Sequence, residues 1–205
     1  MNGGSFIRVA VLVSGSGTNL QALIDAQNSG GLGTGRLVCV ISSKPGVFAL
    51  ERAKKAGIEQ YVIDKKQYSG DTFDTALLQQ LQSCGAQLVV LAGFLPIIGN
   101  TLIEHYPGRI INVHPSLIPS FCGTGFYGLK VHCAALKKGV KVSGATVHLV
   151  NEIPDGGEII LQKAVDVLEG DTPQSLQQRI MEQAEWVILP KAVAMLCNKI
   201  TEGQS

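Results

Sequence analysis

The sequence predicts a single α/β domain: a Rossmann-like, mostly parallel twisted sheet with flanking helices and an antiparallel strand pair near the C-terminus. Three observations predict it. The opening run Ile7–Val13 is almost continuously apolar and rich in β-branched residues, as a strand covered on both faces must be. Strand-like runs then alternate with helical runs of about ten residues, the rhythm of βαβ units. From Gly144 onward that rhythm gives way to two strand-like runs joined by a tight turn.

The elements follow in order. After Ile7–Val13 comes a Gly/Ser/Thr turn, then Asn19–Ala26, where Leu20, Leu23 and Ile24 recur at helical spacing. Leu37–Ile41 reads as the second strand, followed by a turn at Pro45-Gly46. Val47–Ala56 reads as a helix closed by Gly57 as C-cap. Tyr61–Ile63 is a short strand and Thr72–Cys84 an amphipathic helix stopped before Gly85. Leu88–Leu91 and Ile110–Val113 are further buried strands. Ala145–Val150 and Glu158–Val167 form the antiparallel pair around Pro154-Asp155-Gly156-Gly157. One long helix, Thr172–Cys197, closes the chain behind a Thr172-Pro173 cap.

Composition bounds the function. The 205 residues suit one domain, and 45% of them are apolar, enough for a buried core. The longest apolar stretch, Leu88–Ala92 continuing through Phe94–Ile98, is broken by Gly93 and Pro96, short of the ~20 residues that cross a bilayer. Met1–Phe6 lacks the basic n-region of a secretory signal, so the expected location is cytoplasmic. A formal charge of +1 offers no global attraction to nucleic acid or to an anionic membrane. Cys39, Cys84, Cys122, Cys133 and Cys197 are scattered and odd in number, which fits reduced thiols rather than a disulfide frame or a zinc site.

Ser14-Gly15-Ser16-Gly17-Thr18-Asn19 joins the first strand to the first helix. Glycines admit a ligand close to the backbone, and the helix N-terminus presents unpaired N–H groups to an anion. Ser, Thr and Asn add neutral donors, a combination suited to a monophosphate. A dinucleotide fingerprint would need glycine where Leu20 stands, and an acid where the second strand ends in Ser42-Ser43-Lys44. A P-loop would need a lysine the turn lacks. The plain alternative is an ordinary capped βα turn.

Asn112-Val113-His114-Pro115-Ser116 lies at the C-terminal end of a buried strand, where ligands bind in open α/β sheets. Alternation along the strand puts Asn112 and His114 on one face. Acyl transfer to an amine needs a donor for the oxygen that gains charge and a route for protons. Asn112 and a protonated His114 supply donors, and Asp155 in the hairpin turn is the candidate acid partner. A structural histidine and a turn-forming aspartate are the alternatives. His105, His132 and His148 have no comparable context and read as structural. No H-E-x-x-H metal set and no G-x-S-x-G nucleophile elbow is present.

Together, Val11–Ala22 (VLVSGSGTNLQA), Val89–Phe94 (VVLAGF), Asn112–Pro119 (NVHPSLIP), Gly144–Val150 (GATVHLV), Asp155–Lys163 (DGGEIILQK) and Glu185–Pro190 (EWVILP) resemble the phosphoribosylglycinamide formyltransferase family of purine biosynthesis. They cover nearly the whole chain in the family's order. The resemblance implies 10-formyltetrahydrofolate as formyl donor, glycinamide ribonucleotide as acceptor, no metal, and a monomer or homodimer without nucleic-acid or membrane partners. It implies a ribonucleotide-binding half over about 1–105 and a catalytic and folate-binding half over about 106–205. By the same resemblance Asn112, His114 and Asp155 are the catalytic set. Gly17, Thr18, Asn19 and Glu185 hold the ribonucleotide, and Leu95, Pro96, Ile97 and Ile98, with Asn112, hold the folate. Two positions depart from the family pattern: Pro96 replaces an arginine, and Gly70 stands near where another is expected. Phe121–Gly128 is expected to form a flap over the phosphate or glycinamide end. Larger relatives, a hydrolase with an N-terminal regulatory domain and a methionyl-tRNA enzyme with a basic C-terminal one, fit this near-neutral chain less well.

Overall fold

The computed structural model describes residues 6–203; positions 1–5, read above for a targeting signal, lie outside them. Seven strands form one sheet in the order β3-β2-β1-β4-β5-β6-β7. They are β1 (Ile7–Val13), β2 (Gly35–Ser42), β3 (Glu59–Val62), β4 (Leu88–Leu91), β5 (Ile110–His114), β6 (Val142–Leu149) and β7 (Ile159–Asp166). The first five pair in parallel, and β6 and β7 run antiparallel. All seven residues of β1 are buried except Arg8, which is half-buried, so the continuous apolar run does mark the sheet's centre.

The side on which strands are added switches between β1 and β4, which run parallel. Strands β2 and β3 are laid down on one side of β1, while β4 and β5 grow on the other. The chain after β1 therefore leads into the helix Thr18–Asn28 on one face and the chain after β4 into the helix Asn100–His105 on the other, at the carboxyl edge where such sheets bind ligands.

Seven α-helices flank the sheet: α1 (Thr18–Asn28), α2 (Phe48–Lys55), α3 (Thr72–Ser83), α4 (Asn100–His105), α5 (Leu129–Lys138), α6 (Pro173–Ile180) and α7 (Trp186–Thr201). One apolar layer packs α1, α6 and α7 against Val9, Val11 and Val13 of β1 and Ala145 and Val147 of β6. The other packs Phe73, Leu77 and Leu81 of α3 and Leu102 of α4 against Ala10 and Leu12 of β1. Neighbouring residues of β1 thus serve opposite layers, as strand alternation requires.

Two expectations change. The C-terminal helix is not continuous: a π-helical turn at Met181–Glu185 separates α6 from α7. Pro190, buried inside α7, has no N–H to bond the carbonyl of Trp186, so the ladder is already interrupted just beyond the widened turn. Helices α4 and α5 are additions to the expected elements. The first is only six residues long, and the second mixes apolar and polar residues at its start (Leu129-Lys130-Val131-His132) and ends in Lys137-Lys138, leaving few apolar repeats to read.

Candidate active site

Strand β5 delivers Asn112 and His114 to one face, as alternation predicts. His114 is buried, and the antiparallel register sets His148 of β6 directly opposite Asn112. The β6–β7 hairpin supplies the acid. Its turn is closed by the Gly156 N–H donating to the Ile153 carbonyl (2.9 Å), with Pro154 and Asp155 as the two central residues. Asp155 has φ 55°, the left-handed conformation that the second central position of a type II turn demands. Aspartate tolerates it better than most side chains, and the turn aims the carboxylate back over β5.

The four groups form one cluster. Asp155 Oδ2 lies 3.5 Å from His114 Nδ1, and Oδ1 lies 3.5 Å from His148 Nε2. Asn112 Nδ2 is 3.2 Å from His148 Nε2 and donates to Asp155 Oδ1 at 3.4 Å. The loop after β5 closes the other side. His114 Nε2 meets the Phe121 carbonyl at 2.9 Å, and the Gly123 N–H donates to Asp155 Oδ2 at 2.8 Å. Phe121 sits at φ 52°, an uncommon conformation for a bulky side chain, held where its carbonyl meets the imidazole.

Proton positions follow from the partners. A carbonyl only accepts, so Nε2 of His114 carries its hydrogen and Nδ1 presents a lone pair toward Asp155. Nδ1 of His148 likewise donates to the Leu149 carbonyl at 2.7 Å, leaving its Nε2 to accept from Asn112. That pins the orientation of the Asn112 amide. Burial pushes the His114 pKa below the usual histidine range, against the pull of Asp155, so the ring is neutral at neutral pH. Burial would raise Asp155, but the His148 contact, the attraction of His114 in its protonated form and the Gly123 N–H outweigh it and hold the carboxyl below its ordinary range.

The glycine-rich turn follows β1 at the same carboxyl edge, with β4 between it and β5. No side chain caps α1, so its leading N–H groups stay open. Gly17, at φ 72°, is required twice over, because a Cβ there would come within 2.7 Å of Ala49 Cβ. Two of the side-chain donors expected in this turn, Ser14 and Asn19, are engaged elsewhere. Ser14 Oγ is 2.6 Å from Ser43 Oγ and accepts the Leu95 N–H at 2.9 Å. Asn19 Nδ2 donates to Glu185 Oε2 at 2.6 Å, while its Oδ1 is buried without a partner. Burial raises the Glu185 carboxyl to about 6, with the Asn19 bond acting against it.

Loop Phe94–Gly99, after β4, has two sides. Ile98 is buried in the core, whereas Leu95 and Ile97 are 50% and 71% exposed. The four loop residues assigned to folate therefore divide, with Ile98 an anchor and Leu95 and Ile97 the outward surface. Pro96 is half-buried between them. Gly70 lies in the segment just before α3, at φ 52°, and presents no side chain. Phe121–Gly128, expected over the phosphate or glycinamide end, has its first residues tied to His114 and Asp155. His148 is the functional candidate that sequence reading missed. Nothing in the local sequence reveals it, because the β5–β6 register is set across the intervening α5.

Comparison with known proteins bears on the family and the fold. A family model described as "Formyl transferase" matches residues 7–193. The chain is 40% identical over 198 residues to the phosphoribosylglycinamide formyltransferase of Haemophilus influenzae, covering 96% of this chain and 88% of that one. This chain belongs to the formyl transferase family, in its phosphoribosylglycinamide formyltransferase branch.

Other members of the family extend the likeness. The solved glycinamide ribonucleotide transformylase 1 of Symbiobacterium toebii superposes with a TM-score of 0.88 at 44% identity, covering 98% of this chain and 90% of that one. The trifunctional purine biosynthetic protein adenosine-3 of Drosophila melanogaster is 45% identical over 193 residues, 93% of this chain. The formyltransferase chain spans only 14% of that protein's length.

Proposed function

We propose that this formyltransferase moves the formyl group of 10-formyltetrahydrofolate to the amine of N1-(5-phospho-D-ribosyl)glycinamide, yielding formylglycinamide ribonucleotide in de novo purine (IMP) biosynthesis. The observation that carries the reading is the convergence of Asn112, His114 and Asp155 at the sheet's carboxyl edge, across from an uncapped helix N-terminus. The folate supplies an activated formyl group, and the protein supplies position and proton handling.

In this reading the leading N–H groups of α1, from Thr18 onward, hold the ribonucleotide phosphate. Glu185, reached through Asn19, lies beneath the same molecule. The exposed Leu95 and Ile97 offer an apolar surface for the pterin, which fits a flat ring system that also needs polar groups at its edge. Asn112 stands between the two substrates. One of its two amide hydrogens faces His148, and the other exchanges its long bond to Asp155 (3.4 Å) for the formyl oxygen as charge develops there, an interaction worth about 3–4 kcal/mol of barrier in comparable sites. The attacking amine must lose a proton. His114 Nδ1, unprotonated and 3.5 Å from an ionised Asp155, is built to receive it, and the carboxylate stabilises the imidazolium that results. His114 thus acts first as proton acceptor, because its Nε2–H is committed to Phe121, and the imidazolium then returns that proton to the folate nitrogen released as its bond to the formyl carbon breaks. Free thiols at all five cysteines accord with a cytoplasmic location, and no helix among the described residues is long and apolar enough to cross a membrane.

The test is a formyl-transfer assay offering glycinamide ribonucleotide, water and methionyl-tRNA as acceptors. Preference for the ribonucleotide supports the assignment, and preference for either other acceptor overturns it. His114→Ala and Asp155→Asn should each lower kcat by about two orders of magnitude or more while ribonucleotide binding persists. Asparagine is comfortable at positive φ, so Asp155→Asn tests charge with little disturbance of the turn. Near-normal turnover in either variant would refute the catalytic roles of these two side chains.

A further inference from the structure

Loop Phe94–Gly99 is gripped from below by the first turn of α3. The Phe73 ring stacks on Phe94, with centroids 6.3 Å apart and planes 10° from parallel. The next residue, Asp74, sets its carboxylate close against Gly99, facing the backbone N–H there. A Cβ at Gly99 would collide with Asp74 Oδ2, so glycine is what lets the loop settle onto the acid. The remaining anchors are Ile98 in the core and the Leu95 N–H on Ser14. Held at these points on its inner side, the loop turns Leu95 and Ile97 outward.

Asp74 is an expensive choice for packing alone. It is 8% exposed, and its Oδ1 is buried with no hydrogen-bond partner. Burying a carboxylate with half its acceptors unused opposes folding, and its place in the first turn of α3 offsets only part of that. Burial raises its pKa, with the Gly99 N–H and Lys65 acting against the rise and Asp71 adding to it. What the side chain uniquely provides is an acceptor fixed to a rigid helix beneath one loop amide.

We propose that Asp74 is a positioning residue for the formyl donor: through Gly99 it sets the height and tilt of the Leu95–Ile97 surface against which the folate lies. The proposal rests on the reading of that loop as folate-facing, and it assigns Asp74 no contact with either substrate.

The experiment is steady-state kinetics on the full chain with 10-formyltetrahydrofolate and glycinamide ribonucleotide varied separately, alongside thermal unfolding. Asp74→Ala should raise the KM for the folate about fivefold to tenfold, the size of one ordinary hydrogen-bond-strength interaction. The KM for the ribonucleotide and kcat at saturating folate should stay within about twofold, and Tm should hold or rise. Asp74→Asn keeps an acceptor oxygen and should recover most of the folate KM. Gly99→Ala, which forces loop and carboxylate apart while retaining Asp74, should raise the same KM and serves if Asp74→Ala fails to fold. Ile97→Asp tests the loop itself. If Ile97→Asp raises the folate KM while Asp74→Ala and Gly99→Ala do not, the positioning role is overturned and the loop reading survives. If none of them changes it, both fall. A parallel loss in kcat and both KM values without rescue by Asp74→Asn would show Asp74 to be merely structural and overturn the proposal.

Discussion

At the scale of single residues, the site is organised by what each hydrogen-bonding partner forbids. The carbonyls of Phe121 and Leu149 force a hydrogen onto one nitrogen of His114 and of His148, and this decides what the other nitrogen does. Removing His148 would free the Asn112 amide to rotate away from the formyl oxygen. His148→Ala should therefore lower kcat by about tenfold to a hundredfold, less than the full loss of an oxyanion donor, with little change in either KM. An unchanged single-turnover rate would refute the orienting role. Glu185 illustrates a cost at the same scale. Its carboxyl titrates at about 6 instead of 4.5, so between those pH values the folded state holds a proton that the unfolded chain has lost. Stability must fall as pH rises through that window, by about 2 kcal/mol. Glu185→Gln should accordingly be more stable than the parent at pH 7 and nearly equal to it at pH 4, measured by urea denaturation.

At the scale of elements, strand alternation and register assemble the catalytic face, and interruptions aim the rest. The type II turn throws Asp155 back over β5, and the π-helical turn at Met181–Glu185 brings Glu185 inward against Asn19. Such a turn holds one residue more than a helical turn needs. Deleting the exposed Gln183 should convert it to regular α-helix and rotate residues on one side of the deletion by ~100° relative to the other. Far-UV circular dichroism should be preserved while the KM for the ribonucleotide rises at least about tenfold. An unchanged KM would mean that the π turn does not aim Glu185. The amphipathic periodicity of Thr172–Cys197 gives no warning of this turn, because one inserted residue shifts the stripe without erasing it.

At the scale of the whole molecule, buried histidines set the acid limit. His132 is fully buried with neither ring nitrogen paired, and burial, reinforced by His114, lowers its pKa to about 4. The His114 pKa is lowered as well. As pH falls below the ordinary 6.5, the unfolded chain takes protons that the folded state refuses, so stability falls. His132 alone should account for roughly 3 kcal/mol between pH 6.5 and 4, more than Glu185 returns over 4.5–6. His132→Leu should gain on the parent steadily as pH drops through this range. A constant difference in unfolding free energy at pH 7 and pH 4.5 would contradict it.

The sequence alone determined which segments are strands, where the parallel rhythm ends, and that Asn112 and His114 share a face beside a phosphate-suited turn. These are consequences of apolar periodicity, of glycine and of strand alternation, all local properties of the chain. The tertiary structure decided everything that depends on register and loop return. It put His148 opposite Asn112, brought Asp155 to His114 from 41 positions away, spent the side chains of Ser14 and Asn19 on Leu95 and Glu185, and buried Ile98 while leaving Ile97 exposed. The reason is physical: a side chain's face follows from its own strand, but its partners follow from how separate strands and loops pack around a shared core.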